Sequence, residues 1–385
     1  MAMKNLLKAA KRIKLAIEKK EKIILYGDTD LDGVTSVIIL EETIKNLGGN
    51  VVAVYFPDRE KEGYGITETA LTSLKKFSPA IILAADLGIS NFKEIEQART
   101  LGFFVMLVDH HEVLGKLPKA HIIVNPRQKG ETYAFREFAA CGLALLLSLK
   151  LLGKEGSDFL KKGLYELAAL GTIADVMPRE KDNIGIIKKG LENLHETWRP
   201  GLKAFFDTGV IAPSDVPGKI GSMIAMLNVR DESHKLPGAY RLLTSKSGKD
   251  ARELVKVLEE KSEVRRQNIR DIVGSIEGRM RDVSSPVVLE GGPSFEYVLL
   301  GAAASILAKE YKKPFFLYKK KGEECLGSVR SPHGYDTVEA MKSCKDLLIT
   351  YGGHPAASGF RLKTKNLAKF EQCLATYFKK NHPAS

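Results

Sequence analysis

Five short aliphatic runs constrain this chain more than any other feature: KIILY (22–26), VVAVY (51–55), AIILA (80–84), FFVMLV (103–108) and HIIV (121–124). Each has the length of a strand, and none alternates apolar with polar residues. Near-continuous hydrophobicity of this kind predicts strands buried on both faces, the signature of a parallel sheet. The intervening segments carry helix punctuation. The segment after Gly33, for example, runs to Gly48-Gly49, which suits a helix C-cap. The fold class read from this pattern is α/β with a doubly wound parallel sheet.

Helical patterns dominate from about 138 to 205, including KKGLYELAALGTIADV, which is expected to stop at Pro178. A Pro/Gly-rich passage (213–221) precedes a long helical stretch over 249–282. There Leu254, Leu258, Ile269, Ile272, Ile276 and Met280 form an apolar stripe among charged residues, and SSP (284–286) ends it. A helix so long and so charged is expected to bridge domains. Beyond it come further strand-like runs (VVLE, FFLYKKK), a Gly-rich helical segment (GAAASILAKEY) and a C-terminal helix near 366–379. A chain of 385 residues accommodates two or three domains.

At 44% hydrophobic and 28% charged residues, the composition is that of a soluble globular protein. No apolar run approaches the roughly 18 to 20 residues needed to span a bilayer, so no membrane contact is expected. The basic N-terminus carries Glu18 and Glu21 and leads straight into the first apolar run, unlike a cleavable transit peptide. Leu6, Ala10, Ile13 and Ile17 recur there at helical spacing and predict a first helix packed on the domain. A cytoplasmic location is the expectation. The four cysteines, Cys141, Cys325, Cys344 and Cys373, form no CxxC pair and are expected to be buried thiols. The net charge of +12 suits either a polyanionic partner such as nucleic acid or a merely lysine-rich surface.

The stretch DTDLDG (28–33) matches the first half of a calcium loop, but the twelfth position is Ile39 rather than Glu, and a strand-like run precedes Asp28. In doubly wound sheets, ligands bind beyond the carboxyl ends of the strands. Asp28, Asp30 and Asp32 follow the first run, Asp86 follows the third in AADLGIS, and Asp109, His110 and His111 follow the fourth in VDHHE. Asp175, in GTIADVMP, arrives from the end of a helix. Singly, such residues are usually turn residues, helix caps or satisfied histidines. Together they bring Asp and His to one sheet edge, a donor set suited to manganese, magnesium or iron. A bridging carboxylate would let two ions sit about 3.5 to 4 Å apart, as in two-metal attack on phosphorus.

The ordered set DTDLDG, AADLGIS, VDHHE and GTIADVMP resembles the motifs of the DHH phosphoesterase superfamily, and LGSVRSPHG with YGGHPAASGF resembles its DHH-associated C-terminal domain. Their spread most resembles RecJ-type single-strand exonucleases, over about residues 20 to 365. The resemblance implies a doubly wound DHH domain (1–245) with the metal site, a linker helix (246–283), and a smaller α/β substrate-binding domain (284–385). It implies two divalent ions, manganese first and magnesium second. Asp30 and Asp86, helped by Asp28, would hold one, and Asp32, Asp86, His110 and Asp175 the other, with Asp86 bridging. Asp109 would orient His110, and His111 would face the scissile phosphate. Arg330, Ser331, Gly352, Gly353 and His354 would anchor a phosphate or nucleotide across a cleft from the metals, and Asn228 would contact substrate.

Three departures accompany the resemblance. MLNVRDE (226–232) retains Asn228 but lacks the framing arginines of the family's R-x-N-A-A-G-R. FEYVLLG (295–301) has Glu296 where the family has His, and the OB-fold of full-length bacterial RecJ is expected to be absent. The leading expectation is a metal-dependent exonuclease on single-stranded DNA or RNA, 5′→3′ by analogy. Such an enzyme would belong to DNA repair and work beside replication or repair proteins. The alternatives are a phosphodiesterase of short oligonucleotides, and a replication-associated scaffold without catalysis.

Overall fold

The structure is a computed structural model that describes residues 3–59, 61–113, 115–154, 156–229, 235–280 and 285–381. It divides into two compact units, Met1–Lys261 and Ser262–Ser385.

In the first unit, α1 (Leu6–Glu18) leads into β1 (Lys22–Gly27), α2 (Leu31–Asn46), β2 (Asn50–Tyr55), α3 (Glu68–Leu74), β3 (Ala80–Ala85), α4 (Phe92–Thr100), β4 (Phe103–Val108) and β5 (Ile122–Val124). The strands form one parallel sheet in the order β2-β1-β3-β4-β5. The five apolar runs are thus the five strands. Their period of two divides the core between the faces. Ile23, Leu25, Ile81, Leu83, Met106 and Val108 join the cluster beneath α1 and α2. Ile24, Tyr26, Ile82, Ala84, Val105 and Leu107 join the one beneath α3 and α4. The α2 helix ends before Gly48, which adopts φ 78 as a C-cap glycine should.

The rest of the unit is helical: α5 (Ala140–Leu152), α6 (Asp158–Ala174), α7 (Lys181–Leu191), α8 (Pro200–Asp207), α9 (Val216–Leu227) and α10 (Gly238–Leu243). One expectation is corrected: the α6 helix ends at Ala174, four residues ahead of Pro178, with Asp175 as its C-cap. The Pro/Gly-rich passage 213–221 is largely helical, since Pro217 occupies the first turn of α9, where its missing N–H costs nothing. Of the segment MLNVRDE, residues 230–232 lie outside the described residues.

The long helix α11 (Gly248–Glu277) begins in the first unit and ends in the second. There β6 (Val288–Gly292), α12 (Tyr297–Tyr311), β7 (Phe315–Lys321), β8 (Glu324–Arg330), α13 (Thr337–Ser343), β9 (Leu348–His354), β10 (Ala357–Lys363) and α14 (Leu367–Asn381) follow. The strands build a mixed sheet in the order β6-β7-β8-β10-β9. One face packs on α12 and on Ile269, Ile272 and Ile276 of α11, and the other on α13 and α14. Cys344 and Cys373 form a disulfide with a Cα–Cα distance of 6.1 Å, which corrects the expectation of four free thiols. A sequence separation of 29 hides a pairing that exists only because α13 and α14 are neighbours. Cys141 and Cys325 are buried thiols as expected.

Candidate metal centre

The strand order reverses between β1 and β3, so their carboxyl ends open a crevice at the switch point of the sheet. Asp28 follows β1 there, and Asp86 follows β3. Both are buried. The turn from β1 into α2 is very tight: a Cβ on Gly33 would lie 2.5 Å from the Asp28 carbonyl oxygen. Only glycine lets the first turn of α2 settle on the Asp28 backbone. Asp30 caps that helix, accepting from Gly33 N at 3.2 Å. Asp86 sits at φ 63, a left-handed conformation that Asp tolerates better than most residues.

Potential ligand atoms converge in three overlapping groups, each with its atoms within 4.8 Å of one another: Asp28, Asp30 and Asp86; Asp86, His110 and His111; Asp32, His110 and Asp175. The His110 Nε2 atom lies 3.3 Å from Asp86 Oδ1, 3.6 Å from Asp175 Oδ2 and 3.8 Å from Asp32 Oδ2. Every candidate ligand named from the sequence is therefore brought to one place. Asp86 and His110 each belong to two of the groups.

The electrostatics of the cluster call for a cation. Burial, then the neighbouring Asp32 and Asp30, push Asp86 far above the ordinary carboxylate range. The same causes raise Asp175 to about 8, and burial followed by Asp30 raises Asp28. Asp86 Oδ1, Asp175 Oδ2 and His110 Nδ1 are buried and make no hydrogen bond among the described residues. Orphaned, crowded oxygen donors beside an imidazole fit a hard or borderline divalent ion, which would compete with the protons that the crowding favours.

Several supporting residues were not read from the sequence. Arg59 donates from Nε to Asp28 at 2.7 Å and pairs with Asp30 at 2.9 Å. Burial works against ionisation of Asp30, and Arg59 outweighs it and holds that carboxyl below its usual range. Asp32 is fixed by the start of α5, where Ala140 N and Cys141 N each donate to its carboxylate at 2.8 Å. Buried Asn125 donates to the His111 carbonyl at 3.0 Å. Asn228, expected at the substrate, accepts from Leu31 N at 2.9 Å and so braces the acidic turn itself. The only signals for these contacts were an arginine after β2 and an Asn-Pro after β5, neither specific.

One orientation is corrected. Asp109 accepts from His111, through Nδ1 at 2.8 Å and N at 3.1 Å, rather than orienting His110. Side chains at successive positions after a strand diverge, and the chain's turn at His111 brings that ring back over Asp109. Burial opposes protonation of His111, but Asp109 prevails and raises its pKa to about 9. With Nδ1 held by the carboxylate, Nε2 faces outward, 3.4 Å from the Tyr64 hydroxyl.

Asp175 is the C-cap of α6, and the turn after it is a Schellman motif. Val176 N donates to the Ile173 carbonyl and Met177 N to the Thr172 carbonyl. The residue at the left-handed position, usually glycine, is here Val176 at φ 56, a conformation that costs a side-chain-bearing residue about 1–2 kcal/mol.

In the second unit, Ala357 is the register partner of both Arg330 on β8 and His354 on β9. Directly paired residues share a sheet face, so Arg330 and His354 flank the small Ala357, about 10 Å apart at two strand spacings. Gly301 of α12 leaves room for the guanidinium, since a Cβ there would lie 3.0 Å from Arg330 Nη2. The Ser331 hydroxyl is committed to the Pro355 carbonyl, where Thr337 also donates, strapping the turn that follows GGH. At Gly352 a Cβ would meet nothing within 4 Å, whereas Gly353 has φ 129 and a Cβ there would lie 2.6 Å from the Ala357 carbonyl oxygen. Gly353→Ala is therefore expected to destabilise the second unit by about 2 kcal/mol or more, while Gly352→Ala leaves it within about 1 kcal/mol. Thermal melting of the two variants checks the contrast.

Comparison with known proteins agrees with this geometry. Residues 22–172 match the DHH family N-terminal domain, and residues 286–380 match the DHHA1 domain. The single-stranded-DNA-specific exonuclease RecJ of Bacillus subtilis is 35% identical over 373 residues, covering 95% of this chain but 46% of that protein. A crystal structure of exonuclease RecJ bound to manganese superposes with a TM-score of 0.80 at 27% identity, covering 98% of this chain and 95% of that one. RecJ from Thermus thermophilus in complex with Mn2+ gives 0.85 at 25% identity, covering 99% of this chain and 55% of that one. The chain thus spans about half the length of several relatives it matches. The switch-point cluster of Asp and His thus lies in a DHH family N-terminal domain, and the mixed sheet that follows α11 lies in a DHHA1 domain.

Proposed function

We propose that the chain is a metal-dependent phosphodiesterase that removes nucleotides from single-stranded nucleic acid, in the manner of the RecJ exonucleases it resembles. The observation that carries this reading is the overlap of the three ligand groups through Asp86 and His110. Such sharing suits two ions rather than one. Asp28, Asp30 and Asp86 would hold the first, and Asp32, Asp86, His110 and Asp175 the second, with manganese favoured and magnesium accepted. Bound there, such ions lower the pKa of a water and neutralise charge on a phosphate.

The chain's own residues do the rest. Asp109 holds His111 so that its outward nitrogen donates to a phosphate oxygen. Arg59 keeps Asp30 ionised, and α5 keeps Asp32 in place. Arg330 and His354, sharing a face of the second sheet, supply donors for a substrate phosphate, and the bare backbone at Gly352 admits its close approach. Single-stranded DNA is the favoured substrate, polarity 5′→3′, in a cytoplasmic repair or replication setting. The net charge of +12 supports a polyanionic substrate.

The test uses end-labelled DNA and RNA of graded length, with manganese or magnesium, and products resolved by size. Immediate release of the labelled mononucleotide from 5′-labelled thirty-mers, and progressive shortening of 3′-labelled ones, are expected. Turnover confined to two-mers would move the reading to a short-oligonucleotide phosphodiesterase, and no turnover with either metal would leave a scaffold. His354→Ala is expected to raise KM about tenfold, the loss of one charge-assisted donor, with bound manganese unchanged. A fall in bound metal in that variant would show the residue misassigned.

A further inference from the structure

Val176 is a mismatch between residue and place. It occupies the left-handed position of the turn that closes α6, where glycine is the residue of lowest energy. The residue is also 84% exposed, so the isopropyl group recovers little from packing. A β-branched residue held in a strained conformation, in water, has no account in the stability of the folded chain.

Its position supplies one. The preceding residue is Asp175, whose Oδ2 lies 3.6 Å from His110 Nε2. Tyr64 reaches the second histidine of the pair, His111, and is half exposed too. The more exposed members of the cluster are Asp30, His111 and Asp175, which sets the open side of the site. A nucleotide whose phosphate meets those groups must also place a sugar or base nearby. Those parts need apolar or aromatic surface, and the acidic cluster offers none of its own.

We propose that Val176 is a substrate contact: the left-handed turn after Asp175 holds its isopropyl group out against the sugar or base beside the scissile phosphate. The inference deepens the phosphodiesterase reading above and rests on it. The turn itself needs no valine, since its two backbone hydrogen bonds form equally well around glycine. Strain accepted in the free protein is returned as contact area in the complex. The chemistry selected is a ribose or deoxyribose carbon face or a base edge, which any nucleotide offers, so the contact adds affinity without reading sequence.

The experiment compares the full chain with Val176→Gly and Val176→Ile, using a 5′-labelled single-stranded DNA thirty-mer and manganese. For Val176→Gly, KM rises about five- to tenfold with kcat within about twofold, as expected for loss of one apolar contact made equally in ground and transition states. Its melting temperature does not fall, and its manganese stoichiometry equals the parent's. Val176→Ile, which restores a β-branched apolar face, brings KM back toward the parent value. A parent-like KM in Val176→Gly overturns the proposal, as does a fall in melting temperature or bound manganese, which would make the side chain a stiffener of the Asp175 turn. A parent chain that cleaves no single-stranded DNA overturns the phosphodiesterase reading and the proposal with it. A parent that cleaves, with Val176→Gly indistinguishable from it, overturns the Val176 contact alone.

Discussion

Asp86→Ala is expected to abolish hydrolysis, with kcat falling by at least about 10³-fold, because one substitution removes a ligand from two of the three groups. Asp28→Ala should cost far less. Asp28 belongs to one group only, and Arg59 already satisfies part of its charge. Titration of manganese into each variant supplies the physical readout: Asp86→Ala loses binding at more than one site, Asp28→Ala weakens one. Equal, mild losses in the two variants would contradict the bridging assignment. Misfolding is separable from loss of metal. Burial and the surrounding carboxylates oppose ionisation of Asp86, so without metal its removal relieves repulsion, and Asp86→Asn should melt no lower than the metal-free parent. Asparagine also tolerates the left-handed backbone at this position. A metal-free Asp86→Asn that melts well below the parent would mean that the side chain holds the fold rather than an ion.

The parts of this site that could be read from the sequence share a physical property: they are local. Each strand announces itself by a run of aliphatic residues, and a parallel sheet fixes where its ligands must gather. Asp28, Asp86 and His110 could therefore be placed at one edge before any contact was known. What could not be read is long-range or conformational. The clamp on Asp32 comes from residues 108 and 109 positions away, and Asn228 reaches Leu31 across 197. The disulfide depends on two helices whose adjacency only the second sheet creates. Asp109 turning to His111 depends on one backbone turn after β4. At the end of α6, Pro178 is the louder stop signal in the sequence, while the helix stops earlier, at a turn through a left-handed valine that propensity disfavours. Functional sites are where local preference is most often overruled, and both non-glycine left-handed residues next to the cluster, Asp86 and Val176, follow that rule.

The metal-free chain should lose stability as pH rises from about 6.5 to 9, and manganese should reverse the trend. The sign follows from groups whose folded pKa lies above the unfolded value. Asp175 is raised to about 8 and His111 to about 9. Each contributes stability that is complete below its unfolded pKa and is lost as pH passes through the folded one. Asp86 and Asp28, raised as well, act in the same direction. Asp30 and Asp109 are depressed, but their contribution is lost only as pH falls toward the acid range, outside this window. His110, held low by burial, loses its contribution below about 6.5 and is likewise outside it. An ion bound by the ionised carboxylates competes with these protons, so its stabilisation grows over the same interval. At a hundredfold excess over Kd it amounts to about 2.7 kcal/mol, or roughly 5–10 °C in the first unit. Melting curves at pH 6.5 and 9, with chelator and with manganese, measure both slopes. A metal-free melting temperature that rises across this interval, or a manganese shift that is larger at pH 6.5 than at pH 9, would mean that the acidic cluster is neutralised by something other than protons or an ion.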